Sequence, residues 1–415
     1  MTGPAIPLYA TQGLGGTVAD AGIITAASSL ASVPAFLFWG SASDAMHRRR
    51  LFVLIGFVGM GLSLLFMAVA ASMREYYLAN LLLGALAAAS APVGPVLIME
   101  TSKEKEWPQR LALFNRLGGF GWVSGLGIGA LWMAVETAGV GPGAALQGLF
   151  YIGAGLSFLA AVLAWRWIPE PVVTVDRHTV NFPDLSLWFA EKARYVPQRV
   201  LHFFDPRRLG NGGGKIPASL KRYLASTFLL FAGFTAFYAI FPIFLVQVTR
   251  ITMTQIFVVY LMGHLVSALS YPAVGRWVSK RGGRHAQLVA SSVRVVLFLS
   301  FFLLPFFRVG PAVLFPIVLA LHAGIGLCWA AINVSGATIV SRLANPKARG
   351  EAMGAYNAMQ GFGAVFGPLA VGFAATSLGF GIGFIGAAAL VGGGVVILAR
   401  VPVVVPVPAP LATTT

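Results

Sequence analysis

The sequence predicts an all-α, polytopic membrane protein made of two like halves of six helices. Three observations predict it. The 415-residue chain is 57% hydrophobic and 10% charged, with mean hydropathy +0.81, which is not the profile of a soluble globular domain. It carries repeated apolar runs long enough for membrane helices, which need about 20 residues each. The later part of the chain also repeats features of the earlier part at a nearly constant offset. The 49 glycines agree, because small residues let membrane helices pack closely. Alternating segments of about 10 residues, the mark of a membrane barrel, are absent from the pattern.

Taken in order, apolar runs fall at 18–40, 51–73, 77–99, 113–135, 147–168, 222–247, 254–276, 287–307, 311–340, 351–375 and 378–400. That gives eleven complete spans. At an offset of 235, Pro7, Tyr9 and Gln12 fall on Pro242, Phe244 and Gln247, and Gly40 falls on Gly275. At 240, Gly84 matches Gly324. At 242, Phe114-Asn115 and Gly119-Phe120-Gly121 match Tyr356-Asn357 and Gly361-Phe362-Gly363. Parallel repeats of this kind are a transporter architecture. Residues 1–12 match only the last part of the run 222–247, so the first helix of the first half is expected to be truncated, with its start upstream of Met1.

The expected organisation is an N-terminal bundle at 1–168, a central loop at 169–221, a C-terminal bundle at 222–400 and a tail at 401–415. Within the loop, Pro183 to Val196 reads as an interfacial helix capped by Asp184. Val and Pro alternate in the tail, which reads as extended or disordered.

The net charge of +16 does not indicate nucleic-acid binding, because the basic residues form no single patch. Placing 41–50, 100–112, 169–221, 276–286, 341–350 and the tail on one side puts 26 of 29 Lys/Arg there, counting residues just inside span ends. Only Arg74, Arg250 and Arg308 fall opposite. That asymmetry assigns the basic loops and the C-terminus to the cytoplasmic face of a cell membrane. Cys328 is the single cysteine, so no intrachain disulfide exists. The first 20 residues lack the basic start and compact apolar core of a cleavable signal.

Two short charged stretches sit between apolar runs: Gly40–Arg50 (GSASDAMHRRR) and Gly275–His285 (GRWVSKRGGRH). With this motif, the repeat and the long central loop in place, the chain resembles the major facilitator superfamily over nearly its whole length. Gly40, Asp44, Arg48 and Arg49 match the family signature between its second and third helices. Ala45 and His47 depart from its usual Arg and Gly. The second copy keeps Gly275, Lys280, Gly282 and Arg284 but has Ser279 in place of the Asp. The resemblance implies that these stretches act as a gating latch between the halves. It also implies a central cavity and a monomer without cofactor. The fifth-helix glycine pattern associated with exporters is partial at Gly121-x-x-x-Gly125, and fuller at Gly363-x-x-x-Gly367-Pro368.

Polar groups in mid-span are costly and usually face a cavity. His264 and His322 each lie about ten residues into a span. His322, Trp329 and Asn333 share a helical face at spacings of seven and eleven. Asn357 and Gln360 are neighbours on one face, Asn115 is the first-half counterpart of Asn357, and Tyr238 lies in mid-span. These eight residues are the candidate substrate cavity, with hydrogen-bonded glue between helices as their other reading. No acid sits in mid-span, so a proton, if coupled, would ride on His264 or His322. No mid-membrane Arg or Lys is expected, which argues against an anionic substrate.

No P-loop, HExxH or CxxC is present, so neither an enzyme, an ATP-driven pump nor a metal site is expected. The leading reading is a secondary transporter of a small organic solute, favouring proton-coupled efflux (antiport) of amphipathic compounds. Uptake of a neutral solute such as a sugar stays open, as does a non-transporting scaffold or sensor.

Overall fold

A computed structural model describes residues 2–46, 48–90, 93–103, 107–168, 217–307, 309–344 and 349–402. The proposed interfacial helix at 183–196, and the tail beyond 402, lie outside the described residues. The first half contains α1 (Thr2–Gln12), α2 (Val18–Met46), α3 (Arg49–Val69), α4 (Met73–Ala87), α5 (Val93–Glu100), α6 (Trp107–Val140) and α7 (Pro142–Trp167). The second contains α8 (Ala218–Gln247), α9 (Met253–Arg281), α10 (Gly283–Leu303), α11 (Pro311–Leu343), α12 (Arg349–Leu378) and α13 (Phe380–Ala399). A 3-10 turn, Leu304–Phe307, prolongs α10.

Ten of these helices are long and apolar enough to cross a membrane. The run 77–99 differs from expectation, being broken into α4 and α5. Pro92 has no N–H to bond the carbonyl of Ala88. The chain tightens there, with Ala89 N–H donating to Leu86 and Ser90 N–H to Ala87. The eleven expected spans are therefore ten long helices and one broken pair.

Helix starts follow local chemistry. Ser72 and Glu75 form a reciprocal capping box before α4, as do Thr252 and Gln255 before α9. Asp20 accepts from the Thr17 backbone and hydroxyl at 2.6 and 2.8 Å and from the Tyr77 hydroxyl. Gly141 and Gly379 both have φ near +85° (84° and 88°) and join the last two helices of their halves. An L side chain is strained at that φ.

The helix pairings repeat between the halves. α2 packs on α4 as α9 packs on α11, and α3 on α7 as α10 on α13. The halves join along two seams, α2 with α12 and α6 with α9. At the α2–α4 crossing Gly84 lies against the Ser28 carbonyl. At the matching α9–α11 crossing Gly326 lies against the Gly263 carbonyl. The structural partner of Gly84 is thus Gly326, not Gly324, which instead approaches Leu297. Hydrogen bonds cross between helices where apolar surface cannot discriminate protein from lipid: Trp39 Nε1 donates to Ala85 at 2.8 Å, Tyr76 to Ile6 at 3.0 Å and Ser226 to Gly394 at 2.7 Å. An aromatic core centred on Phe237, Phe241, Phe298, Phe301 and Phe384 fills the second half.

Candidate functional site

The seam between the halves can be read from side-chain spacing. On α12, Gly361 meets Val33, while Pro368 and Gly372 meet Gly22, all on α2. These positions recur at four, seven and eleven residues and form one stripe. Asn357 extends that stripe by one turn, yet it is exposed. On α9, Leu261, His264 and Ala268 face Gly127, Trp122 and Gly119 of α6, with His264 and Trp122 stacked at 5.1 Å and 15°. Tyr271 continues this stripe, and its hydroxyl accepts from Asn333 Nδ2 at 3.1 Å.

Exposure along α11 is graded. His322 is buried at 2%, Trp329 is half-buried and Asn333 is exposed. The one face predicted from their spacing therefore runs from a closed interior to an open end, and the open end is the one carrying basic residues. His322 sits among Phe241, Tyr260 and Tyr238, with the Tyr238 hydroxyl 3.4 Å from Nε2. Trp329 meets Phe231 edge-on at 6.1 Å.

These are polar groups at depth inside a duplicated helical bundle. The family model described as Major Facilitator Superfamily matches residues 1–335. The chain belongs to the major facilitator superfamily. No curated protein matches it in sequence. Solved structures similar to it include the nucleoside transporter NupG, as a D323A mutant, with 15% identity, TM-score 0.70 and coverage of 96% of this chain and 94% of that one. A POT family transporter bound to a thioalcohol-conjugated peptide gives 11% identity, TM-score 0.72 and coverage of 96% and 91%. The human organic anion transporter MFSD10 (TETRAN) gives 17%, TM-score 0.55 and coverage of 91% and 83%. As a member of the superfamily the chain is a transporter rather than an enzyme.

The superfamily signature lies differently from its sequence reading. Residues 41–46 continue α2, and α9 runs through Gly275 to Arg281, so both stretches are helix ends rather than loops. The turn in the second copy is made at Gly282, with φ 83°. Asp44 lies in α2, with its side chain outside the described residues. Arg48 is exposed beside α3, whereas Arg49 is buried and donates to Ser43 Oγ at 2.7 Å. Arg50 donates to the Trp165 carbonyl at 3.3 Å. Arg284 donates to the carbonyls of Leu398, at 3.3 Å, and Ala399. In each half, then, a cation at the start of the third helix binds carbonyls at the end of the sixth, where helix termini favour positive charge. These contacts of Arg50 and Arg284 tie helices within a half, not between halves. Gly40 and Gly275 have nothing within 4 Å of an added Cβ.

The exporter-like glycines also have a packing role. Gly363 and Gly367 seat α12 against backbone of α8 at Phe228 and Ala232. Their first-half counterpart Gly121 has nothing within 4 Å. Gln360 is half-buried one turn from Asn357; the Asn115 side chain lies outside the described residues. Among the described residues no cluster of His, Cys, Asp or Glu could hold a metal. A cavity of about 340 Å³ lies away from the seam, at the basic ends of α9–α11, lined by Arg281, Arg284, His285 and Arg342.

One residue that the sequence reading passed over is Arg294. Counting cations by loop groups it with the topology-setting residues, so the sequence alone predicts no mid-membrane cation. In the structure it is the twelfth of the 25 residues Gly283–Phe307 and 1% exposed. Its sequence signal was a lone Arg eight residues into the apolar run 287–307.

Proposed function

We propose that the protein is a secondary active transporter that moves a small amphipathic organic solute across the cell membrane by alternating access. The basic helix ends are proposed to face the cytoplasm, as the positive-inside asymmetry requires. The observation that carries the reading is the graded exposure of His322, Trp329 and Asn333 beside a seam whose stripe continues to exposed Asn357. Such a face suits a site reached from one side at a time. The aromatic walls, Tyr238, Trp329 and Trp122, suit an amphipathic solute better than a sugar.

Efflux in exchange for protons is the direction proposed, although the glycine pattern no longer argues for it, since Gly363 and Gly367 are packing positions. His264 is the proposed proton carrier because it lies on the seam. Protonation would turn its stack on Trp122 into a cation–π contact and so bias the joint between the halves. Tyr238, Asn333, Asn357 and Gln360 are proposed to line the solute path.

Reconstitution into proteoliposomes tests this. An imposed pH gradient should drive flux of amphipathic dyes, a protonophore should abolish it, and His264→Gln should flatten its pH dependence. Flux that ignores the gradient removes proton coupling. Absence of any solute counterflow removes the transporter reading.

A further inference from the structure

We propose that Arg294 binds a carboxylate or like anionic group of the transported solute, behind the wall formed by Tyr238 and Trp329. The inference rests on the transport reading and adds the charge class of the solute.

A permanently charged side chain in mid-membrane is costly and is retained where something uses it. Arg294 has no carboxylate partner among the described residues. Its guanidinium carbon lies 4.1 Å over the ring of Phe234, with Phe298 and Trp329 at 5.7 Å and Tyr238 at 6.0 Å. These rings compensate charge through the face of the cation. Its planar edges are another matter: Nε and Nη1, one donor on each of the two edges, are buried and make no hydrogen bond, while Tyr238 is hydrogen-bonded to the same guanidinium. Paired with Nη2, either nitrogen completes an edge that reads a carboxylate through two parallel hydrogen bonds, once the Tyr238 hydroxyl has moved aside. Ser291 Oγ, one turn earlier on α10, is likewise buried without a partner.

Access comes from the seam side. Tyr238 and Trp329 are half-buried and flank the guanidinium, and Trp329 belongs to the face that opens toward Asn333. Rotation of either ring would expose an Arg294 edge to a solute lodged at the seam. An aromatic or amphipathic acid would then set its apolar body against those rings and its carboxylate on the arginine.

The test uses the full chain, purified and reconstituted, with a panel of aromatic and aliphatic monocarboxylates, each paired with its own primary amide. Sodium chloride and sodium phosphate serve as inorganic arms. Acids should raise the melting temperature and be carried, while their amides do neither. Arg294→Gln should weaken acid binding on the order of thirtyfold or more, and Arg294→Lys should fall between. Should Arg294→Gln fail to fold, the acid-against-amide comparison on the wild type decides alone. Acids and amides bound and carried alike would overturn the proposal and leave the transporter reading standing. Chloride or phosphate reproducing the whole stabilisation, with acids adding nothing, would also overturn it. Flux of neither acids nor amides would take both readings down.

Discussion

Trp122 of α6 and His264 of α9 stack face to face across the joint between the two halves, with ring centroids 5.1 Å apart. Trp122 is otherwise 53% exposed, so this imidazole is its defining neighbour. Aromatic pairs contribute about 0.5–1.5 kcal/mol beyond area burial. A double-mutant cycle of Trp122→Leu and His264→Leu, read by denaturant unfolding in detergent, should return a coupling in that range. Strict additivity of the two variants would show that the stack contributes nothing.

The glycine crossings should be intolerant of a single methyl. Gly326→Ala and Gly84→Ala would each place Cβ against a backbone carbonyl, that of Gly263 or of Ser28. Backbone cannot yield as a side chain can, so each should lose about 1–3 kcal/mol of stability. Gly324→Ala meets only a Leu297 methyl at 3.3 Å and should be nearly neutral. Equal melting temperatures for the three variants would contradict this assignment.

Arg284 holds the Leu398 and Ala399 carbonyls of α13, and Arg50 the Trp165 carbonyl of α7. Arg284→Ala should cost about 0.5–1 kcal/mol and speed hydrogen exchange at Leu398–Val401. Arg48→Ala, at an exposed position, should leave both unchanged. Faster exchange on the α2–α12 seam instead would revive a latch between the halves.

Asp20 closes the start of α2 by accepting from Thr17 and Tyr77. Asp20→Ala should destabilise by about 1 kcal/mol, as loss of one arm of the capping box with Thr17 does, while Asp20→Asn should keep part of that. Transport lost in Asp20→Asn without any stability change would instead assign the carboxylate to the transport cycle.

Much of the architecture was legible in the chain. Apolar runs located the spans, and the match of Gly40 to Gly275 and of Asn115 to Asn357 exposed the duplication. An apolar run does not register the break at Ala88–Ser90, because hydropathy is blind to where a hydrogen-bond ladder ends. Sequence alone reads the gating stretches as loops because charge marks the edge of an apolar run, whereas helices continue through charged residues once outside lipid. Spacing alone puts His322, Trp329 and Asn333 on one helical face, but it does not register that their environments grade from buried to open.

By itself, then, the sequence determined that this is a duplicated helical membrane protein, where its spans lie and which polar groups share a helical face. Those follow from hydropathy and periodicity, which act along one helix at a time. Tertiary structure alone decided which of those faces are covered and how deep each charge lies. Arg294 lies in the middle of its helix, twelfth of the 25 residues Gly283–Phe307, and its side chain turns inward. Neighbouring rings on α8 and α11 then close over it, and no pattern within a single helix specifies what packs against it.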